Sequence, residues 1–293
     1  MTLGAASLVA GANGWRIDRQ PGPDLAAYLQ GRPVDEVAIL LPRLFNLCRM
    51  AQGTAAQLAL GLAMTGEDPT AEVIRDHMAR LFVTLRRAFG LAPIAPPAAT
   101  PALFSPTGQM PCDLAGLQGW LLQDTPLAEL GRAVQTGFPA GLGVTPGLPD
   151  PMPKDGAMEN APAQRQAQHP LMQAFAAAEG RSPLWRLVGV LIDLGAAMAK
   201  TLTPPQLLSD GTAVVQAARG SYFLRIGQQD GRVTGLHRIT PTDHQLAPGG
   251  ALQQALRTIP VNRPDLAAQL VALIDPCSPV TVPALHLREA HHA

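Results

Sequence analysis

The sequence predicts a mainly α-helical protein with one small antiparallel β-sheet late in the chain, an α+β layout. Three observations lead there. Most of the chain carries apolar residues at helical spacing. A single stretch, 212–239, alternates apolar and polar residues around an Asp-Gly pair, which signals a hairpin. Two Pro/Gly-rich stretches, at about 92–111 and 138–168, suit neither regular helix nor central strand. With 293 residues the chain can bury a sizeable core. It reads as a single domain, 1–293, with those two stretches as irregular insertions, the second a long irregular or mobile loop.

The elements follow in order. In "VDEVAILLPRLFNLCRMAQGTAAQLALGLAMTG", from Val34, apolar residues recur every three to four positions. Pro42 should break or kink this run, with Arg43 to Cys48 forming a bend and a fresh helix from about 50 to 64. "DPTAEVIRDHMARLFVTLRRAFG" is the clearest helix. Asp68 or Thr70 caps it, Pro69 suits its first turn, and Ile74, Met78, Leu81 and Leu85 share a face. Gly90 closes it. Helices are also expected over 113–135, 170–179 and 183–200. Strands are expected near 212–217, 221–227 and 232–239. "GGALQQALRTIP" and "RPDLAAQLVALID" are short helices, the second ending at Asp275-Pro276.

Composition excludes several classes. Lys+Arg and Asp+Glu balance at 22 each, so nothing points to a polyanion, and nucleic acid is not an expected partner. Aromatics are only 4 %, too few for a base-stacking platform. Three widely spaced cysteines make no disulfide framework, which fits a reducing, cytoplasmic setting. The N-terminus lacks the basic n-region of an export signal. The most apolar stretch, 183–200, is interrupted by Arg186, Asp193 and Lys200, and reads as a buried helix rather than a membrane span.

Catalytic signatures are missing from the sequence: no G-x-S-x-G, no H-E-x-x-H, no phosphate loop and no dinucleotide fingerprint. Cysteine carries the remaining signal. Cys48 follows the Pro42 kink and Cys277 follows Asp275-Pro276. Helix breaks expose backbone N–H groups that favour thiolate, the form a metal needs. Free cysteine is also among the most buried residue types, so both readings stay open: core thiols, or ligands of one shared metal. Cys112 reads as a core thiol at a helix start, and His77 as a satisfied interior histidine. Arg219 could simply pair with a carboxylate such as Asp275.

Two segments sharpen this. "RLFNLCRMAQ", 43–52, resembles R-[IL]-C-G-x-C-x-x-x-H, and "DPCSPVTVP", 275–283, resembles D-P-C-x-x-C-x-x-H. These are the cysteine motifs of the nickel–iron hydrogenase large subunit. "QAARG" resembles that family's A-P-R-G element, leaving Arg219-Gly220. "ITPTDHQLAPGG" resembles its P-[ST]-T-W-N-L-x-P segment, leaving Pro241-Thr242. The likeness covers about 30–91 and 182–285. It implies a shortened large-subunit-like helical bundle.

The departures fall on specific ligands. Phe45 and Val280 replace two of the four metal cysteines, and Gln52 and Pro283 replace the two motif histidines. The resemblance implies that the nickel ligands are largely lost, so no nickel is expected. The family's iron carries two cyanides and one carbonyl and needs only two thiolates from protein, here Cys48 and Cys277. Arg219 and Thr242 stand where the family hydrogen-bonds the cyanides. Cys48 matches a bridging position and Cys277 a nickel-only one, so the geometry would differ from the family's.

This pattern is similar to the HupK/HoxV hydrogenase expression/formation proteins. That implies a non-catalytic maturation scaffold that transiently holds an iron–cyanide–carbonyl unit. Its implied partners are a small delivery chaperone and the apo large subunit. The alternative is a metal-free docking protein that mimics the large subunit and binds maturation partners. A third reading, a cysteine-free relative in a respiratory complex, fits worse because Cys48, Asp275-Pro276-Cys277 and Arg219 persist.

Overall fold

The computed structural model describes residues 4–44, 47–65, 68–104 and 110–283. It opens with a hairpin of β1 (Gly4–Gly11) and β2 (Gly14–Pro21), where no strand was expected. The cue lies in "GANG". Gly14 takes φ +104°, which an L side chain resists, and closes the turn. Ala6, Leu8 and Trp15 then face the core.

Helices α1 (Leu25–Leu29), α2 (Val34–Leu44) and α3 (Arg49–Leu60) come next. Pro42 lies inside α2 rather than ending it. It sits near the helix end, where only one backbone bond is sacrificed. α4 (Pro69–Ala79) starts at the Asp68 cap, whose carboxylate accepts the Thr70 N–H. A π turn (Arg80–Thr84) then interrupts the helix before α5 (Leu85–Ala88). The sequence pattern does not show this interruption.

The expected helix over 113–135 is two helices, α6 (Leu114–Leu121) and α7 (Pro126–Gly137). Pro126 fits only a first turn, so it starts the second. The chain continues through α8 (Pro162–Arg165), α9 (Pro170–Glu179) and α10 (Pro183–Met198). Strands β3 (Gln206–Leu207), β4 (Ala213–Ala217), β5 (Gly220–Gln229) and β6 (Arg232–Ile239) form an antiparallel sheet in that order. Asp230 and Gly231, both at positive φ, make the expected two-residue turn between β5 and β6. Last come α11 (Pro241–Gln245), α12 (Ala251–Leu256), α13 (Pro264–Ile274) and β7 (Val280–Thr281). β7 pairs in parallel with β1, so the segment after Cys277 is tied to the N-terminal hairpin.

Among the described residues, buried apolar side chains form two large clusters and a small third one of Val214, Phe223 and Ile239. One lies under the sheet, where Val37, Leu41, Ala51 and Ala55 of α2 and α3 meet Val215, Tyr222 and Leu224. The larger surrounds α10, whose Trp185, Leu187, Val188 and Leu191 are buried among α4, α7, α9 and α13. The 138–168 stretch holds one short helix, α8, and parts of it are packed into the interior. Glu159 and Asn160 are fully buried. Glu159 is held by both terminal nitrogens of Arg186, at 2.7 and 3.2 Å. Among the described residues, no helix is long and apolar enough to cross a membrane.

Candidate metal centre

Cys48 is the N-cap of α3 and sits in the left-handed region, φ +53°. Its helix start is braced from α4: the Glu72 carboxylate accepts the Met50 and Ala51 N–H groups, each at 3.2 Å. Cys277 lies just past α13, whose C-cap Asp275 is also left-handed, φ +55°. The Cys277 N–H donates to Thr242 Oγ1 at 2.7 Å. α11 presents Thr242 because Thr240 and Asp243 form a capping box at its start.

These unrelated segments converge. The Cys48 and Cys277 side chains pack in one apolar cluster, and each shifts the ionisation of the other. Neither cysteine is in a disulfide. The pair shares a proton unequally. The interaction with Cys48 lowers the pKa of Cys277, and Arg219 and Thr242 lower it further against the cost of burial. Cys48 is pushed well above an ordinary thiol by the same interaction, by burial and by the neighbouring thiolate charge.

Arg219 sits at the tip of the β4–β5 hairpin. Its Nη1 lies 4.0 Å from the Cys48 sulfur. The expected carboxylate partner is also present: Arg219 Nε is 3.1 Å from Asp275 Oδ2, and Nη1 is 3.6 Å from Asp76. That Nε–H faces the Asp275 carboxylate without a hydrogen bond of good geometry. The Thr242 hydroxyl accepts from Cys277 and keeps its own proton to donate. The donor set is thus two soft sulfurs flanked by a guanidinium and a hydroxyl. Among the described residues, no group of three His, Cys, Asp or Glu side chains could hold a metal.

The structure brings together all four residues singled out from the sequence: Cys48, Cys277, Arg219 and Thr242. Cys112 is exposed, not a core thiol, because it lies just outside α6. His77 is an interior histidine, with Nε2 2.8 Å from Asp193. Phe45 and the tail 284–293 lie outside the described residues.

Sequence reasoning missed Asp76, Glu72 and above all Asn160. The Asn160 side chain exchanges two bonds with Ser221, donating to its carbonyl at 2.9 Å and accepting its N–H at 2.7 Å. It also lies 3.1 Å from His244 Nδ1, and its carbonyl accepts from Gln245. One residue therefore fixes both the strand that follows Arg219 and the helix that carries Thr242. Nothing in its Pro/Gly-rich surroundings marks it.

No family model matches the chain. It is 42 % identical over 280 residues to the hydrogenase expression/formation protein HupK of Rhodobacter capsulatus, covering 89 % of this chain and 90 % of that protein. Solved structures of similar fold include a [NiFeSe] hydrogenase variant from Desulfovibrio vulgaris Hildenborough. Its TM-score is 0.60 at 14 % identity, over 94 % of this chain and 98 % of that one. The [NiFeSe] hydrogenase of Desulfomicrobium baculatum gives a TM-score of 0.57 at 13 % identity, over 92 % and 95 %. The α+β fold is therefore hydrogenase large-subunit-like.

Proposed function

Because the chain belongs to the family of the hydrogenase expression/formation protein HupK, we propose that it is a non-catalytic scaffold in nickel–iron hydrogenase formation. Its cargo is an iron–cyanide–carbonyl unit, held transiently on Cys48 and Cys277 before transfer to the large subunit. One observation carries this reading: two cysteines from opposite ends of the chain meet beside a buried guanidinium.

The chemistry is consistent. Arg219 supplies a charge-assisted donor to an anionic cyanide, and the Thr242 hydroxyl a second donor. Two sulfurs fall short of a four-thiolate nickel site, which favours an iron that arrives nearly filled. Few protein ligands also ease release. A large-subunit-like fold lets the chain meet the same maturation machinery, namely a small delivery chaperone and the apo large subunit.

A second reading has its own support. Both cysteines pack in the apolar cluster under the sheet, as core residues would. The chain would then be a metal-free docking protein. Replacing both cysteines by alanine in cells that depend on this protein separates the two. The scaffold reading predicts folded protein and loss of hydrogenase maturation. Normal maturation would contradict it and favour docking alone.

A further inference from the structure

Cys48 starts α3 in an uncommon way. An ordinary N-cap has an extended backbone, and its side-chain oxygen accepts an N–H from the second or third helical residue. Cys48 is left-handed instead, and its side chain makes no cap hydrogen bond. The N–H groups that such a cap would serve are those of Met50 and Ala51. The two carboxylate oxygens of Glu72 take them, one each, at 3.2 Å. Glu72 lies on α4 and is buried. Its negative charge also suits the positive end of the α3 dipole. The cap therefore comes from another helix, and the thiol has no capping duty.

Gln52 holds Cys48 from the other side. Its Nε2 donates to the Leu47 carbonyl at 2.8 Å. Its own backbone N–H donates to the Cys48 carbonyl at 3.0 Å. The peptide that enters Cys48 and the peptide that leaves it are thus both bonded to Gln52. Fixing two successive peptide planes fixes φ and ψ of the residue between them, because each plane is rigid. The direction of the Cys48 Cα–Cβ bond follows. Gln52 is itself buried, and its Oε1 has no hydrogen-bond partner. An unmet amide oxygen in the interior costs stability, so stability alone does not account for glutamine here.

We propose that Gln52 and Glu72 are positioning residues for the Cys48 thiol. Glu72 relieves the cysteine of capping, and Gln52 locks its left-handed backbone, so that the sulfur is directed as a ligand before any metal arrives. The proposal rests on the reading of Cys48 and Cys277 as ligands of one metal.

Cadmium tests it, as a thiophilic probe that needs no assembly machinery. It is titrated into the reduced full chain and followed by thiolate-to-metal charge-transfer absorption. Wild-type protein should bind one cadmium, and Cys48→Ala and Cys277→Ala should each lose that site. Gln52→Met removes the amide donor and the unmet acceptor together, so its thermal midpoint should change little. Glu72→Gln keeps one acceptor and loses the second. Each variant should bind cadmium about tenfold more weakly or worse, the usual effect of removing a group that orients a metal ligand. Folded variants with wild-type cadmium affinity overturn the proposal and leave the shared-metal reading standing. Wild-type protein that binds no cadmium on the two cysteines overturns both. If one variant does not fold, the other decides.

Discussion

At the residue scale, the thiol pair is defined by its neighbours. Cys48 and Asp275 both occupy the left-handed region, where a non-glycine residue is strained by about 1–2 kcal/mol. Both flank the sulfurs, and the strain is held by the Glu72 brace on one side and the Thr242 hydroxyl on the other. Arg219 supports the thiolate of Cys277. In metal-free protein, Cys277 should therefore alkylate with a pH midpoint below that of an ordinary thiol. Arg219→Gln should move that midpoint upward, read by peptide-resolved mass spectrometry after iodoacetamide pulses. An unchanged midpoint would show that Arg219 does not act on the pair. Lysine is no substitute at this position. It keeps the charge but lacks the planar fork that spans Asp275, Asp76 and Cys48.

At the element scale, the hairpin carrying Arg219 depends on a segment with no regular structure. Asn160 fills the space beside Gly220, and a Cβ on Gly220 would collide with its side-chain oxygen. Gly220 also sits at φ +139°. Asn160→Ala leaves Ser221 and His244 with unmet buried partners. It should cost about 2–4 kcal/mol, measured by urea unfolding, since each buried group left unsatisfied costs roughly 1–3 kcal/mol. Gly189→Ala should also destabilise, by about 1–3 kcal/mol, because α10 packs against the Ala163 backbone of α8 at that point. A loss under half a kcal/mol in either variant would show that the contact is not tight.

The same elements show what the sequence made legible. The β5–β6 hairpin and α4 were readable because Asp230-Gly231, Asp68 and Pro69 act locally. Cys48, Cys277, Arg219 and Thr242 could be read from motif likeness. The β1–β2 hairpin has a local cue in its Asn13-Gly14 turn, but the π turn and Asn160 have none. Both are set by packing partners far away in sequence, which no local period records.

At the scale of the whole molecule, one buried charge network joins α4, α8 and β4 to α10. Asp193 accepts from His77, Arg165 and Gln166, and Arg165 reaches on to Gln216 and Ala217 of β4. Burial alone would raise the Asp193 pKa, but Arg165 and His77 more than offset it and hold it well below the usual carboxylate range. Burial lowers the His77 pKa despite Asp193. Both values are depressed relative to the unfolded chain, so both contributions are complete above the unfolded pKa values and fade as pH falls. The His77 part should begin to fade below about pH 6.5, and the Asp193 part below about 3.9. The urea midpoint should therefore drop between pH 7 and pH 5.5, and His77→Gln should flatten that drop. A variant with the full wild-type slope would place the acid sensitivity elsewhere. The central claim concerns the thiols and is tested most directly by infrared spectroscopy. Protein co-produced with the hydrogenase assembly machinery and purified without oxygen should show cyanide and carbonyl stretching bands. Cys48→Ala and Cys277→Ala should each lose them while remaining folded. Wild-type protein without such bands, or alanine variants that keep them, would contradict the account.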